Sequence, residues 1–263
     1  MRISMARTLQ IVVTILTCAF LLVPTLQSVL AGVTVNYFRG LSSGLTFQWI
    51  SQVWDLYMDS IFLSIWLAIT CLVCTLLIGV PAAYGLARRP GWASRVLEEF
   101  VSLPLAVPGL ALALALLQLY GSMRGFRTSW TFILAGHVLY TLPFMIRSVL
   151  AVLSSMDLKT LEEGAASLGA SPWQRFRDVV IPNAMPGILA GSLTVVTLSI
   201  GEFNLTWMLH TPYLKTLPVG LADSYASMRL EIASAYTLVF FIIIVPLLMA
   251  MQWASQRAQR IGK

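Results

Sequence analysis

Few residues in this chain are of a type and spacing to do chemistry. Cys71-Leu-Val-Cys74 has the spacing of a redox dithiol or half a metal site, but it lies inside a continuous apolar run with no His or acid beside it. With Cys18, also in an apolar run, these thiols read as small buried hydrophobes, and no disulfide framework follows. Glu202 is the one acid well inside an apolar run, between Gly201 and Asn204 in "SIGEFNLTW". His137 and Tyr140 stand three apart in another run and share a helical face. Ionisable groups at membrane depth are costly and are functional candidates by default. Glu202, Asn204, His137 and Tyr140 are therefore the candidates for a polar solute path. The competing reading is structural: Glu202 caps a helix or pairs with a cation, and His137 and Tyr140 are satisfied core groups. Asn204-Leu-Thr206 has glycosylation spacing, but a place inside a span rules it out. Nothing reads Gly-x-x-x-x-Gly-Lys-Ser/Thr, so this chain carries no phosphate-binding loop of that kind. No catalytic or metal-binding set is expected.

The elements that must position these residues are membrane spans. The chain is 58% hydrophobic and 11% charged, with mean hydropathy +0.81. A soluble domain carries about 25% charged residues, so the composition specifies an integral membrane protein. The net charge of +6 is not a nucleic-acid footprint. Six runs are long enough to span, at about 9–33, 60–87, 100–120, 130–151, 184–209 and 233–253. The first is too long for a signal-peptide core and has no clear cleavage site, so it reads as an uncleaved span. With no soluble domain or long linker in view, residues 1–263 read as a single transmembrane domain. Eleven Lys and Arg fall in the tails and even-numbered connections against five in the odd ones. That asymmetry predicts that both termini are cytoplasmic.

The polar connection 154–182 stands out against these runs. Thr160 and Glu163 have capping-box spacing, and Asp157 is a rival cap three residues earlier. Gly169 suits a left-handed helix stop. Ser171-Pro172-Trp173-Gln174 then starts a second helix with cap, first-turn proline and box. Pro182 and Pro186 are expected to end it. Leu161, Ala165 and Leu168 form one apolar stripe; Trp173, Phe176 and Val180 form another. The stripes suit either a bilayer surface or a protein partner.

Here the sequence resembles the permeases of binding-protein-dependent ABC importers. Their signature in this place runs Glu-Ala-Ala, three residues, Gly, nine residues, Ile, one residue, Leu-Pro. This chain has Glu163, Gly164 and Ala165, then Gly169, then Val179, Val180, Ile181 and Pro182. Gly164, Val179 and Ile181 depart from the pattern. The C-terminal half is similar to the branch serving polyamines, ferric iron and 2-aminoethylphosphonate. The resemblance implies an all-α integral membrane protein with six transmembrane helices of the type I permease fold, with coupling helices between spans four and five. It also implies docking of an ATP-hydrolysing subunit on Glu163, Gly164, Ala165, Gly169, Trp173, Phe176 and Pro182. The chain would be a transport subunit of the bacterial inner membrane, not an enzyme. ATP and Mg would sit on the partner ATP-binding subunit dimer, with no cofactor bound by this chain. The other partners implied are a second, different permease, a periplasmic substrate-binding protein and the lipid bilayer. Pro212, Pro218 and Gly220 with Lys215, Asp223 and Arg229 are expected to form an outer loop and short helix toward that binding protein, an ordinary solvated loop being the competing reading. The cargo would be a small polar solute.

Two other classes compete. A stand-alone secondary transporter would need no docking loop and usually carries inverted repeats, which are not evident here. An intramembrane enzyme would need a nucleophile in register with His137 or His210. Gly169-Ala-Ser171 places its serine outside the spans and before a proline.

Overall fold

A computed structural model describes residues 5–261. The chain is helical throughout, and strand-like pairing among the described residues is limited to the isolated bridges Thr34–Leu45 and Thr211–Leu214. The helices are α1 (Met5–Ala31), α2 (Gln48–Arg88), α3 (Trp92–Ala106), α4 (Gly109–Tyr120), α5 (Arg124–Arg127), α6 (Trp130–Ser154), α7 (Leu158–Ser167), α8 (Pro172–Gln174), α9 (Ile181–Gly201), α10 (Asn204–Leu209), α11 (Leu217–Ala226) and α12 (Leu230–Ile261). A π-helical stretch, Arg175–Val180, joins α8 to α9. Among the described residues, five helical stretches are long and apolar enough to cross a membrane. Counting the bent pair α3–α4 as one broken span gives a sixth.

Two of the apolar runs are not single helices. The run 100–120 divides into α3 and α4, which meet at 102°. Val107 and Pro108 are extended, with ψ 127° and 139°. Pro108 has no amide to donate and disfavours a helical residue before it, so hydropathy continues where the helix cannot. The run 184–209 divides at Glu202, whose ψ of 121° ends α9 three residues before α10 is under way.

The chain forms two compact units. One comprises the residues up to Met58 with Gly220–Ile244; the other comprises Asp59–Val219 with the chain from Val245. In the first, Gly32 lies so close to the α12 backbone that a Cβ would sit 2.6 Å from the Ser234 carbonyl carbon. The Tyr37 amide donates to Glu231 at 3.0 Å, and Tyr57 stacks edge-on against Tyr236 at 4.8 Å. Its helix α1 shows apolar side chains on every side, with Leu9, Ile15, Leu16, Phe20 and Leu22 all more than half exposed. That is the pattern of a helix made for lipid or another subunit.

The second unit holds the candidate sites. Its densest seam joins α6 and α9. Small residues allow close approach there: a Cβ on Gly187 would lie 2.6 Å from the Ser148 carbonyl oxygen, and one on Gly191 2.8 Å from Met145 Sδ. Ser148 Oγ donates across the seam to the Gly187 carbonyl at 2.9 Å. Cys71, Ala83, Met145, Val149, Leu153, Val180 and Ala184 complete this core. A second cluster packs Leu67, Ala113, Phe132, Ile133, Leu205 and Leu209. It ties α4 and α10 to α2 and α6.

Candidate functional site

The connection between α6 and α9 folds into two short helices with a sharp turn. Asp157 is the first cap: its carboxylate accepts from the Thr160 amide at 3.2 Å and from the Thr160 hydroxyl at 2.6 Å. These two bonds, the hydroxyl's first, hold the Asp157 carboxyl below its ordinary value. The Asp157 reading therefore replaces a Thr160–Glu163 box. α7 closes in a Schellman turn. The Gly169 amide donates to Ala166 and the Ala170 amide to Ala165, with Gly169 at φ +85°. Ser171 and Gln174 then form the reciprocal box, Ser171 N to Gln174 Oε1 at 2.8 Å and Gln174 N to Ser171 Oγ at 3.3 Å.

The second helix does not stop at the prolines. Pro172–Gly201 is one unbroken 30-residue helix, about 45 Å long at 1.5 Å per residue. The π-helical stretch shifts the hydrogen-bond register just before Pro182, and the Asn183 side-chain amide donates to the Val179 carbonyl at 2.7 Å. The expected stop at Pro182 and Pro186 is thus replaced by a lever. It begins at the turn and ends at the break beside Glu202.

One residue that sequence reasoning passed over anchors this loop. Glu162 is buried, accepts from the Tyr84 hydroxyl and pairs with Arg88 Nε at 3.2 Å. Tyr84 lies against Phe176 at 5.2 Å, and Val180 is fully buried. Ala87, Arg88, Asp157, Glu162 and Arg175 line an adjoining cleft of about 470 Å³. Arg175 Nε is buried there without a hydrogen-bond partner. Glu163, in contrast, is exposed and lies 3.8 Å from Lys159. Gly164 is exposed with open space where a Cβ would stand, and Ala165 is half-buried. Leu161, Leu168 and Trp173 are 42%, 90% and 64% exposed, leaving an apolar surface on a rigid, capped frame.

At the far end of the lever, Glu202 caps α10. Its carboxylate accepts from the Leu205 amide at 3.0 Å, the Thr206 amide at 2.9 Å and the Thr206 hydroxyl at 2.9 Å. His137 is buried with both nitrogens engaged, Nδ1 with Ser199 Oγ and Nε2 with Thr206 Oγ1, each at 2.8 Å. Thr206 thus joins two of the four path candidates. Asn204 is exposed at the start of α10; Tyr140 is half-buried against the Leu67–Phe132 cluster. The Glu202–Thr206 spacing of four was the available signal for this contact, but it reads only once the break in the span is known. Cys71 Sγ meets Thr141 Oγ1 at 3.2 Å, and Cys18, Cys71 and Cys74 are free thiols.

The sequence matches the binding-protein-dependent transport system inner membrane component over residues 75–260. The chain belongs to that family. PhnV of Salmonella typhimurium, assigned to a 2-aminoethylphosphonate transport system, is 28% identical over 89% of this chain and 83% of its own length. ModB of Haemophilus influenzae, a molybdenum transport system permease, is 27% identical over 77% of this chain and 95% of its own. In structure, the chain is similar to a bacterial ABC transporter that imports the acidic polysaccharide alginate. The TM-score is 0.73 at 16% identity, covering 95% of this chain and 94% of the other. This family member has the fold of an ABC importer permease and is a transport subunit of a membrane import system, not an enzyme.

Proposed function

We propose that the chain forms half of an ATP-driven import pore and that α7 and α8 dock on a separate ATP-hydrolysing subunit. The observation that carries this is the exposed set Leu161, Leu168 and Trp173 on a frame fixed by Glu162, at the start of one 30-residue helix. Residues left apolar and exposed on a rigid frame suit a groove in a partner. Glu163, Gly164, Ala165, Gly169, Phe176 and Pro182 belong to the same docking element, with Glu163 free to face the partner. The ATPase pair holds ATP and Mg, and its closure displaces the lever. A second, different permease completes the pore, and a periplasmic binding protein delivers the solute. Both termini and the docking loop are cytoplasmic.

The cargo is a small polar solute, and 2-aminoethylphosphonate is favoured over a polyamine. Its support is the likeness to PhnV. A photo-crosslinking residue at Leu168 tests the docking directly. It should capture an ATP-binding subunit in intact cells, while the same probe at exposed Tyr213 should not. Equal capture from both positions, or none from Leu168, would overturn the docking.

A further inference from the structure

For a neutral His137 the hydrogen bonds around the ring have one consistent direction. Thr206 has a single hydroxyl proton, and it goes to Glu202 Oε2 at 2.9 Å. Thr206 Oγ1 must then accept from His137 Nε2–H, and the bare Nδ1 must accept from the Ser199 hydroxyl. The result is a relay from Ser199 to His137 to Thr206, all three buried, ending on the half-buried Glu202. It links α9, α6 and α10. Around it the backbones are close: a Cβ on Gly136 would lie 2.6 Å from Leu205 Cδ2, and one on Gly109 of α4 3.5 Å from Glu202 Oε1. The breaks in the third and fifth spans therefore meet at the Glu202 carboxylate.

A two-residue break in a lever would ordinarily lose its displacement. α9 is fastened along its length to α6, and α10 packs on α6 through Leu205 and Leu209 against Phe132 and Ile133; across the break itself the polar link is the Glu202 cap. We propose that His137 is a positioning residue of the permease: through the Thr206 hydroxyl it holds Glu202 as the cap of α10, so that motion of the α6–α9 pair is carried across the break into α10 and α4. This rests on the permease reading for its role in transport. The relay itself stands on the geometry alone. A bonded network of this kind specifies one arrangement, because a half-satisfied one costs more than an apolar core.

The test is amide hydrogen exchange of Leu205 and Thr206 in the intact complex in lipid nanodiscs, without nucleotide and with Mg-ATP and vanadate. His137 touches neither amide. The relay nonetheless predicts that His137→Leu and Thr206→Val exchange both about tenfold faster, the effect of losing roughly one buried hydrogen bond. Thr206→Ser, which keeps the hydroxyl, should restore wild-type protection. Nucleotide should change exchange in α4 and α10 of the wild type, and this response should be lost in His137→Leu. Wild-type protection in His137→Leu would overturn the proposal. Should that variant fail to assemble, Ser199→Ala removes only the far hydroxyl; the relay predicts a smaller acceleration, and an unchanged rate overturns it. Failure of the permease reading looks different. No ATPase would co-purify and nucleotide would change nothing in the wild type, while the nucleotide-free comparison would still decide the relay.

Discussion

Removing the Glu162 carboxylate should loosen the docking element without touching its outer surface. In Glu162→Ala two contacts are lost, the Tyr84 hydroxyl and Arg88 Nε at 3.2 Å. A hydrogen bond to a charged group contributes about 1.5–3 kcal/mol when shielded. The Arg88 side chain is 47% exposed and regains water when Glu162 is gone, so that pair is discounted to about 1 kcal/mol. The sum is about 2.5–4 kcal/mol of restraint on α7. If docking must restore that order, affinity for the ATPase subunit falls by about 60- to 700-fold, at 1.4 kcal/mol per decade. Glu162→Gln keeps an oxygen for Tyr84 and should lose about tenfold or less. The assay is an equilibrium titration of the ATPase subunit onto nanodisc-held permease. Hydrogen exchange of α7 serves as the check that the loop, not the fold, has loosened. Unchanged affinity in Glu162→Ala, with α7 exchange also unchanged, would refute the anchoring argument.

Gly169→Val forces a β-branched residue to φ +85°, where open space means the cost is backbone alone, about 1–2 kcal/mol; transport should fall at normal expression, with Gly169→Asn milder. Gly187→Ala places a Cβ 2.6 Å from the Ser148 carbonyl oxygen and 3.0 Å from Val149 Cα, so α6 and α9 must part at about 1–3 kcal/mol, read as a lower melting temperature of the purified protein. Single cysteines at exposed Ser171 and Tyr213 should label from opposite faces of the membrane, and labelling from the same face would refute the orientation.

Much of this was legible because it is local. Ser171-Pro172-Trp173-Gln174 and Gly169 carry their geometry in their own side chains, so cap and turn could be read in place. The apolar runs specified a membrane protein because lipid leaves a chain no alternative to helix. What escaped was decided at a distance. Glu162 and Glu163 are adjacent and alike in sequence; only Tyr84 and Arg88, more than 70 residues away, choose which is buried. Hydropathy cannot see a break in a run that stays apolar, so the breaks at Pro108 and Glu202 did not show in the run lengths, although Glu202 itself stood out as a charge in a span with capping as one of its two readings. The groups that satisfy the Glu202 carboxylate lie in the same chain, three and four residues on. Pro182 misled because helix propensity takes no account of a π-helical stretch that re-registers the bonds before it.

The central claim is that this chain is moved by ATP hydrolysed elsewhere. The most direct measurement reconstitutes the purified complex in proteoliposomes and follows 2-aminoethylphosphonate uptake and ATP hydrolysis together, with and without the periplasmic binding protein. The account predicts that loaded binding protein raises both in step. It also predicts that Glu162→Ala lowers both. Uptake that proceeds without ATP, or by this chain alone in the bilayer, would contradict it.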